Sequence, residues 1–218
     1  SYCDRALGVT SAEEQPVLPK GNNLSLHLLE LFTSQVAKVG MTDGIRQVLH
    51  EESDALRAYY EQAGILIARP AGGTSCRLAI SAKGGTNAEN HNHNDVGSYA
   101  VALGSETMVG DQGGPNSYPG DYFNGDAPQK YKIKGSFGHP VPVVDGRTQS
   151  SGRKAKGVVL QKEFTNEKDV FSIDYTSAYS TPNLDKLIRT FVYDRQGEGN
   201  FTVGDEFTAK TPIRFETA

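Results

Sequence analysis

The sequence predicts a mainly β protein, an antiparallel β-sandwich preceded by a short helical segment. Three observations carry this. Beyond residue 60, short β-branched or alternating runs recur between glycine turns. The 24 glycines, ten tyrosines and nine phenylalanines in 218 residues suit strands and turns. Helical periodicity is confined to the residues before that point. The length suits one domain, or one domain with a lead-in. An apolar fraction of 37% is low for a soluble domain, and with this aromatic and glycine content it points to a polar-surfaced β protein rather than disorder.

Residues 1–60 read as an irregular lead-in and a helical hairpin. Gly8, Pro16 and Pro19 interrupt any period in the first 20 residues. Leu24, Leu28, Leu31 and Phe32 then fall at helical spacing until Gly40. Thr42 or Asp43 opens a second helix through Ile45, Val48 and Leu49 toward Leu56. Residues 61–218 read as the sandwich. Strands are expected over 65–68, 78–81, 98–103, 107–109, 141–144, 157–164, 170–175, 187–194 and 200–207, at the spacing of a meander or sandwich. The basic stretch from Ser150 to Lys156 reads as a solvated turn whose lysines and Arg153 are within reach of an anionic ligand.

A formal charge of −4 with scattered lysines and arginines offers no basic stripe, which argues against nucleic acid as a partner. Cys3 and Cys76 are too few and too far apart for a disulfide framework or a thiolate zinc site, and their pairing stays open. No apolar run approaches the roughly 20 residues that span a bilayer, and the first residues lack a secretion signal's basic start and apolar core.

The chemistry concentrates at Asn90-His91-Asn92-His93-Asn94-Asp95. Were this stretch extended, the period of two would place His91 and His93 on one face. Zinc accepts imidazole nitrogens and carboxylate oxygens, and three protein ligands leave one position open. Asp111, after the strand 107–109, and His139, before the strand 141–144, complete such a set. Asparagine-rich turns also arise for backbone reasons, so spacing alone favours a site only slightly. Tyr118, Tyr122 and Phe123 crowd a Gly/Pro/Asn loop after Asp111, where aromatic faces can stack on a ligand or plug the sandwich end; Tyr118 and Tyr122 are the ligand-binding candidates. Asp95, Asp174, Tyr179, Arg189 and Asp194 read as structural, through turn hydrogen bonds or pairing across a sheet.

The ordered motifs HNHNDVGSY, MVGDQGG and HPVPVVDG, followed by DYTSAY and the strand with Arg189, Tyr193, Asp194 and Arg195, resemble those of the heparinase II/III-like polysaccharide lyases. The resemblance covers roughly residues 60–210. It implies an antiparallel sandwich behind a helical (α/α) toroid, with the helices of residues 22–60 as the toroid's last piece. It also implies His93, Asp111 and His139 as ligands of a metal ion, for which zinc best suits the donor set. His91 maps to the histidine that faces the sugar. The implied substrate is an acidic, uronide-containing polysaccharide, heparan-sulfate-like or alginate-like. The toroid would be a further partner and would carry the remaining catalytic groups, and the setting is periplasmic or secreted. Two positions depart from the family's pattern: Gln112 stands where proline is common, and Pro140 where asparagine is common. Proline has no amide donor, which alters how the His139 loop is held.

Lyases of this type remove the proton at C5, neutralise the adjacent carboxylate and protonate the leaving O4. An imidazole with an ordinary pKa of about 6.5 can serve as acid, base or charge stabiliser, so the role of His91 stays open among these. The ion is expected chiefly to anchor the loop that carries it. Two rivals accompany this reading: a non-catalytic, metal-stabilised carbohydrate-binding sandwich, and a metal-dependent glycan hydrolase.

Overall fold

A computed structural model describes residues 55–111, 117–124 and 127–217. The expected helical hairpin, Cys3 and Gln112 lie outside them. The described residues are mainly β and form antiparallel sheets. Two sheets face one another as a sandwich; most of their strands alternate in burial as half-buried strands should, while Glu106–Val109 and Val158–Phe164 are exposed along nearly their whole length.

The first sheet contains β1 (Arg57–Tyr60), β2 (Ile65–Ala68), β3 (Leu78–Lys83), β5 (Tyr99–Leu103) and β6 (Glu106–Val109), in the order β1-β2-β3-β5-β6. Its register aligns Leu66, Ala82 and Tyr99 in one row, and Ala68, Ile80 and Val101 in the next. The second sheet, ordered β12-β11-β10-β9, contains β9 (Val158–Phe164), β10 (Lys168–Asp174), β11 (Leu184–Asp194) and β12 (Asn200–Ala209). Phe171, Ile173, Leu187, Phe191 and Tyr193 of this sheet share one buried cluster with Leu66, Ala68, Ile80 and Ala82 of the first. Phe171 stacks on Phe191, and Phe191 on Phe201, with ring centroids 6.0 and 6.2 Å apart. This apolar filling between the sheets is the main favourable term in the fold.

Two small two-stranded sheets accompany the larger ones. β4 (Thr86–Asn87) pairs with β8 (Gly152–Lys156), and β7 (Val143–Val144) with β13 (Phe215–Glu216). The basic stretch expected to be a turn is therefore a strand, because β4 supplies its hydrogen-bonding partner. β1, β4 and β13 also carry no strand signal in the sequence. Two of them are only two residues long, and β1 gains its place by pairing with β2.

Cys76 is a buried free thiol, 3.5 Å from the Tyr193 hydroxyl. Among the described residues no helix is long and apolar enough to cross a membrane.

Candidate metal centre and its flanking histidine

The histidine-rich motif does not form a strand. It is a turn between β4 and β5, and His91 holds a left-handed φ of 58°. The face-sharing argument for His91 and His93 therefore fails for want of extended backbone. Histidine is one of the few non-glycine residues enriched in this region, which costs it on the order of 1 kcal/mol. The result separates the two rings. His91 is exposed and packs on Phe123, with centroids 4.6 Å apart, while the half-buried His93 turns toward His139.

His93, Asp111 and His139 come together although 46 residues separate the first from the last. One ligand atom from each lies within 4.8 Å of the others. His93 Nδ1 is 3.0 Å from His139 Nε2, and His139 Nδ1 is 3.6 Å from Asp111 Oδ2. His139 is buried, and Asp111 is the most exposed of the three. Burial, then the neighbouring His139, holds His93 below the ordinary histidine range, against the opposing pull of Asp111 and Asp95. A neutral imidazole is the form that binds metal. Two nitrogens and one carboxylate fit zinc better than calcium, which takes six to eight oxygens. The proton shared between the two rings must leave for an ion to take its place.

A buried polar frame holds these loops. Asn94 is buried beside His93; its amide nitrogen donates to Gln149 O at 3.0 Å and Ser151 Oγ at 3.1 Å, and its main-chain N–H donates to Lys134 O at 2.8 Å. Gln149, also buried, accepts from Val96 N–H at 3.0 Å and donates to Val96 O at 2.6 Å. Asn87 donates to Gln149 Oε1 and Ser150 O and accepts from Asp95 N–H. Asp95 accepts from Lys83 at 2.5 Å, which bears out its structural reading. Gln149 carried no signal in the sequence; its role depends on meeting Asn87 of β4 and the turn with Asn94 and Val96, all distant from it in sequence.

The aromatic loop divides differently from the expectation. Tyr118 is 56% exposed, but Tyr122 is 2% exposed and packs between Tyr118, Phe123 and Tyr131. Tyr122 is thus a packing residue, and Phe123, 49% exposed, takes the surface position beside Tyr118. Lys134, 3% exposed, donates to Tyr122 O at 2.7 Å and lies over the Tyr122 and Phe123 rings. Burial lowers its pKa. Its main-chain oxygen holds Asn94, so Lys134 ties the aromatic loop to the histidine turn.

The remaining residues read as structural do structural work. Asp174 accepts from Thr176, Asp194 from Gln196 N–H, and the Tyr179 hydroxyl donates to Pro142 O. Pro140 needs no amide donor, because its carbonyl accepts from Arg189 at 2.7 Å and the next N–H, of Val141, returns to His139 O at 2.8 Å.

No protein-family model and no curated protein sequence matches the chain. Solved structures do. Heparan sulfate lyase HepC from Pedobacter heparinus superposes with a TM-score of 0.57 at 18% identity over 85% of this chain. A mutant of that enzyme gives 0.58 at 17% over 84%, and heparinase III, the BT4657 gene product, gives 0.57 at 14% over 85%. In each case this chain spans 28% of the other's length. At such identities the likeness is one of fold, and the fold is like that found within these polysaccharide lyases.

Proposed function

We propose that this chain supplies the sandwich half of a polysaccharide lyase site that cleaves a uronic-acid-containing polysaccharide, heparan-sulfate-like or alginate-like, by β-elimination. One observation carries the reading: an exposed His91 stands in the same turn as His93, which meets Asp111 and His139, on a fold like that within heparan sulfate lyases. His93, Asp111 and His139 would hold a divalent ion, zinc by the chemistry of the donors, whose positive charge stiffens the turn and favours a nearby anionic group. His91 meets the uronide, as proton carrier or as charge stabiliser for the carboxylate-bearing carbon. Tyr118 lies in reach of a sugar face by its exposure. The helical toroid that such lyases place before the sandwich would contribute the other catalytic groups, in a periplasmic or secreted protein.

The test is made in the full-length protein with heparan sulfate and alginate, following the ultraviolet absorbance of the unsaturated uronide that elimination creates. His91→Ala is expected to abolish that signal with the metal retained, whereas His93→Ala loses bound zinc and lowers the unfolding midpoint. Undiminished elimination by His91→Ala would sink the proposal. Saturated products instead indicate a metal-dependent hydrolase, and binding without product a carbohydrate-binding sandwich.

A further inference from the structure

Arg189 stands at a core-facing position of β11, in step with Leu187, Phe191 and Tyr193, and is 3% exposed. Strand stability gives no reason for a guanidinium there, since a buried ion pair is often no better than apolar packing of equal volume. Its hydrogen bonds show where it acts. Nε and Nη2 donate to the two carboxylate oxygens of Asp205, directly opposite on β12, at 2.8 and 2.7 Å. The Tyr175 hydroxyl donates to the same carboxylate at 2.8 Å. Nη1 leaves the sheet and donates to two main-chain carbonyls, Gly97 O at 2.9 Å and Pro140 O at 2.7 Å.

Those carbonyls belong to the two loops of the candidate metal centre. Gly97 ends the turn that carries His93, and Pro140 directly follows His139. One nitrogen atom therefore spans the loops whose imidazoles meet at 3.0 Å. Gly97 is fitted to this role: its φ is +86°, and a Cβ there would stand 3.3 Å from the Tyr175 ring.

We propose that Arg189 is a positioning residue: its head group, aligned by Asp205 and Tyr175, sets the separation of His93 and His139 and thereby the affinity of the metal centre. The metal part rests on the function proposed above. The geometry demands arginine, because two nitrogens engage the carboxylate while a third offers two N–H groups to the loops. A lysine has one nitrogen and cannot reach both sides.

The test uses the 218-residue chain, with zinc affinity measured by competition with a chromogenic chelator and the histidine ring protons followed by NMR in the metal-free state. Arg189→Lys is compared with Phe171→Leu, which trims the buried cluster on β10 without touching either loop. Arg189→Lys is expected to weaken zinc binding about 10- to 100-fold, the usual range for residues that orient ligands. It also moves the His93 and His139 resonances while leaving those of His91. Phe171→Leu lowers the unfolding midpoint and leaves zinc affinity and both resonances unchanged. Wild-type affinity in Arg189→Lys, or equal losses in the two variants, overturns the proposal. If the wild-type chain binds no zinc, the metal reading fails by itself; unmoved His93 and His139 resonances in Arg189→Lys then overturn the positioning role. If Arg189→Lys does not fold, Tyr175→Phe replaces it: a several-fold weakening supports the proposal and unchanged affinity refutes it.

Discussion

His93 links the chemistry of the candidate site to the stability of the chain. Burial and His139 depress its pKa below the ordinary 6.5, so the folded state takes up this proton at lower pH than the unfolded state. Between 6.5 and the depressed value the unfolded chain binds the extra proton, and stability falls as pH falls through that window. The metal-stripped chain is therefore expected to unfold at lower temperature at about pH 5.5 than at about pH 7.5, the range in which histidine titrates. His93→Gln should flatten that dependence, as thermal unfolding of both proteins at the two pH values would reveal; an equal slope in both would contradict the assignment. At this scale the sequence marks the residues but not their company. His93, Asp111 and His139 stand out by type and motif, whereas Gln149 and Lys134 are ordinary residues whose roles come from burial at a meeting of loops.

Strands were legible where alternation is strong and hidden where it is short. β2, β3, β5, β10, β11 and β12 follow the pattern of their residues, because one face of each is the more buried, whereas β9 is legible from its β-branched and apolar run although it is exposed along nearly its whole length. β8 was read as a turn since glycine and lysine are poor strand formers, and only pairing with β4 makes it extended. β9 is an edge strand that leaves Val158, Val159 and Leu160 exposed. An apolar edge of this kind invites pairing with another chain. Leu160→Lys is expected to raise the concentration at which the isolated chain aggregates, measured by light scattering, with an unfolding free energy within about 0.5 kcal/mol of the parent. A large loss of stability would show instead that Leu160 contributes to the fold.

At the scale of the whole molecule, loops among the described residues bring the candidate ligands together, and the division of labour proposed above makes a strong demand on the chain alone. The 218-residue protein should bind zinc and gain about 2.7 kcal/mol of stability at a hundredfold excess over the dissociation constant. It should nevertheless give no unsaturated uronide from heparan sulfate or alginate. Steady elimination by this chain alone would contradict a site shared with a helical domain. The sequence by itself determined the fold class and the identity of the candidate ligands, since alternation records which residues face a core and side-chain chemistry limits what can bind an ion. Only the tertiary structure decided that His91 and His93 face apart, that Tyr122 is packed inside while Phe123 takes the surface, and that Arg189 reaches from the core to both histidine loops. The first depends on the backbone dihedral of His91 and the last on neighbours distant in sequence, while Tyr122 and Phe123 are sorted by how their loop folds on Tyr118, Tyr131 and Lys134, and residue order alone encodes none of these.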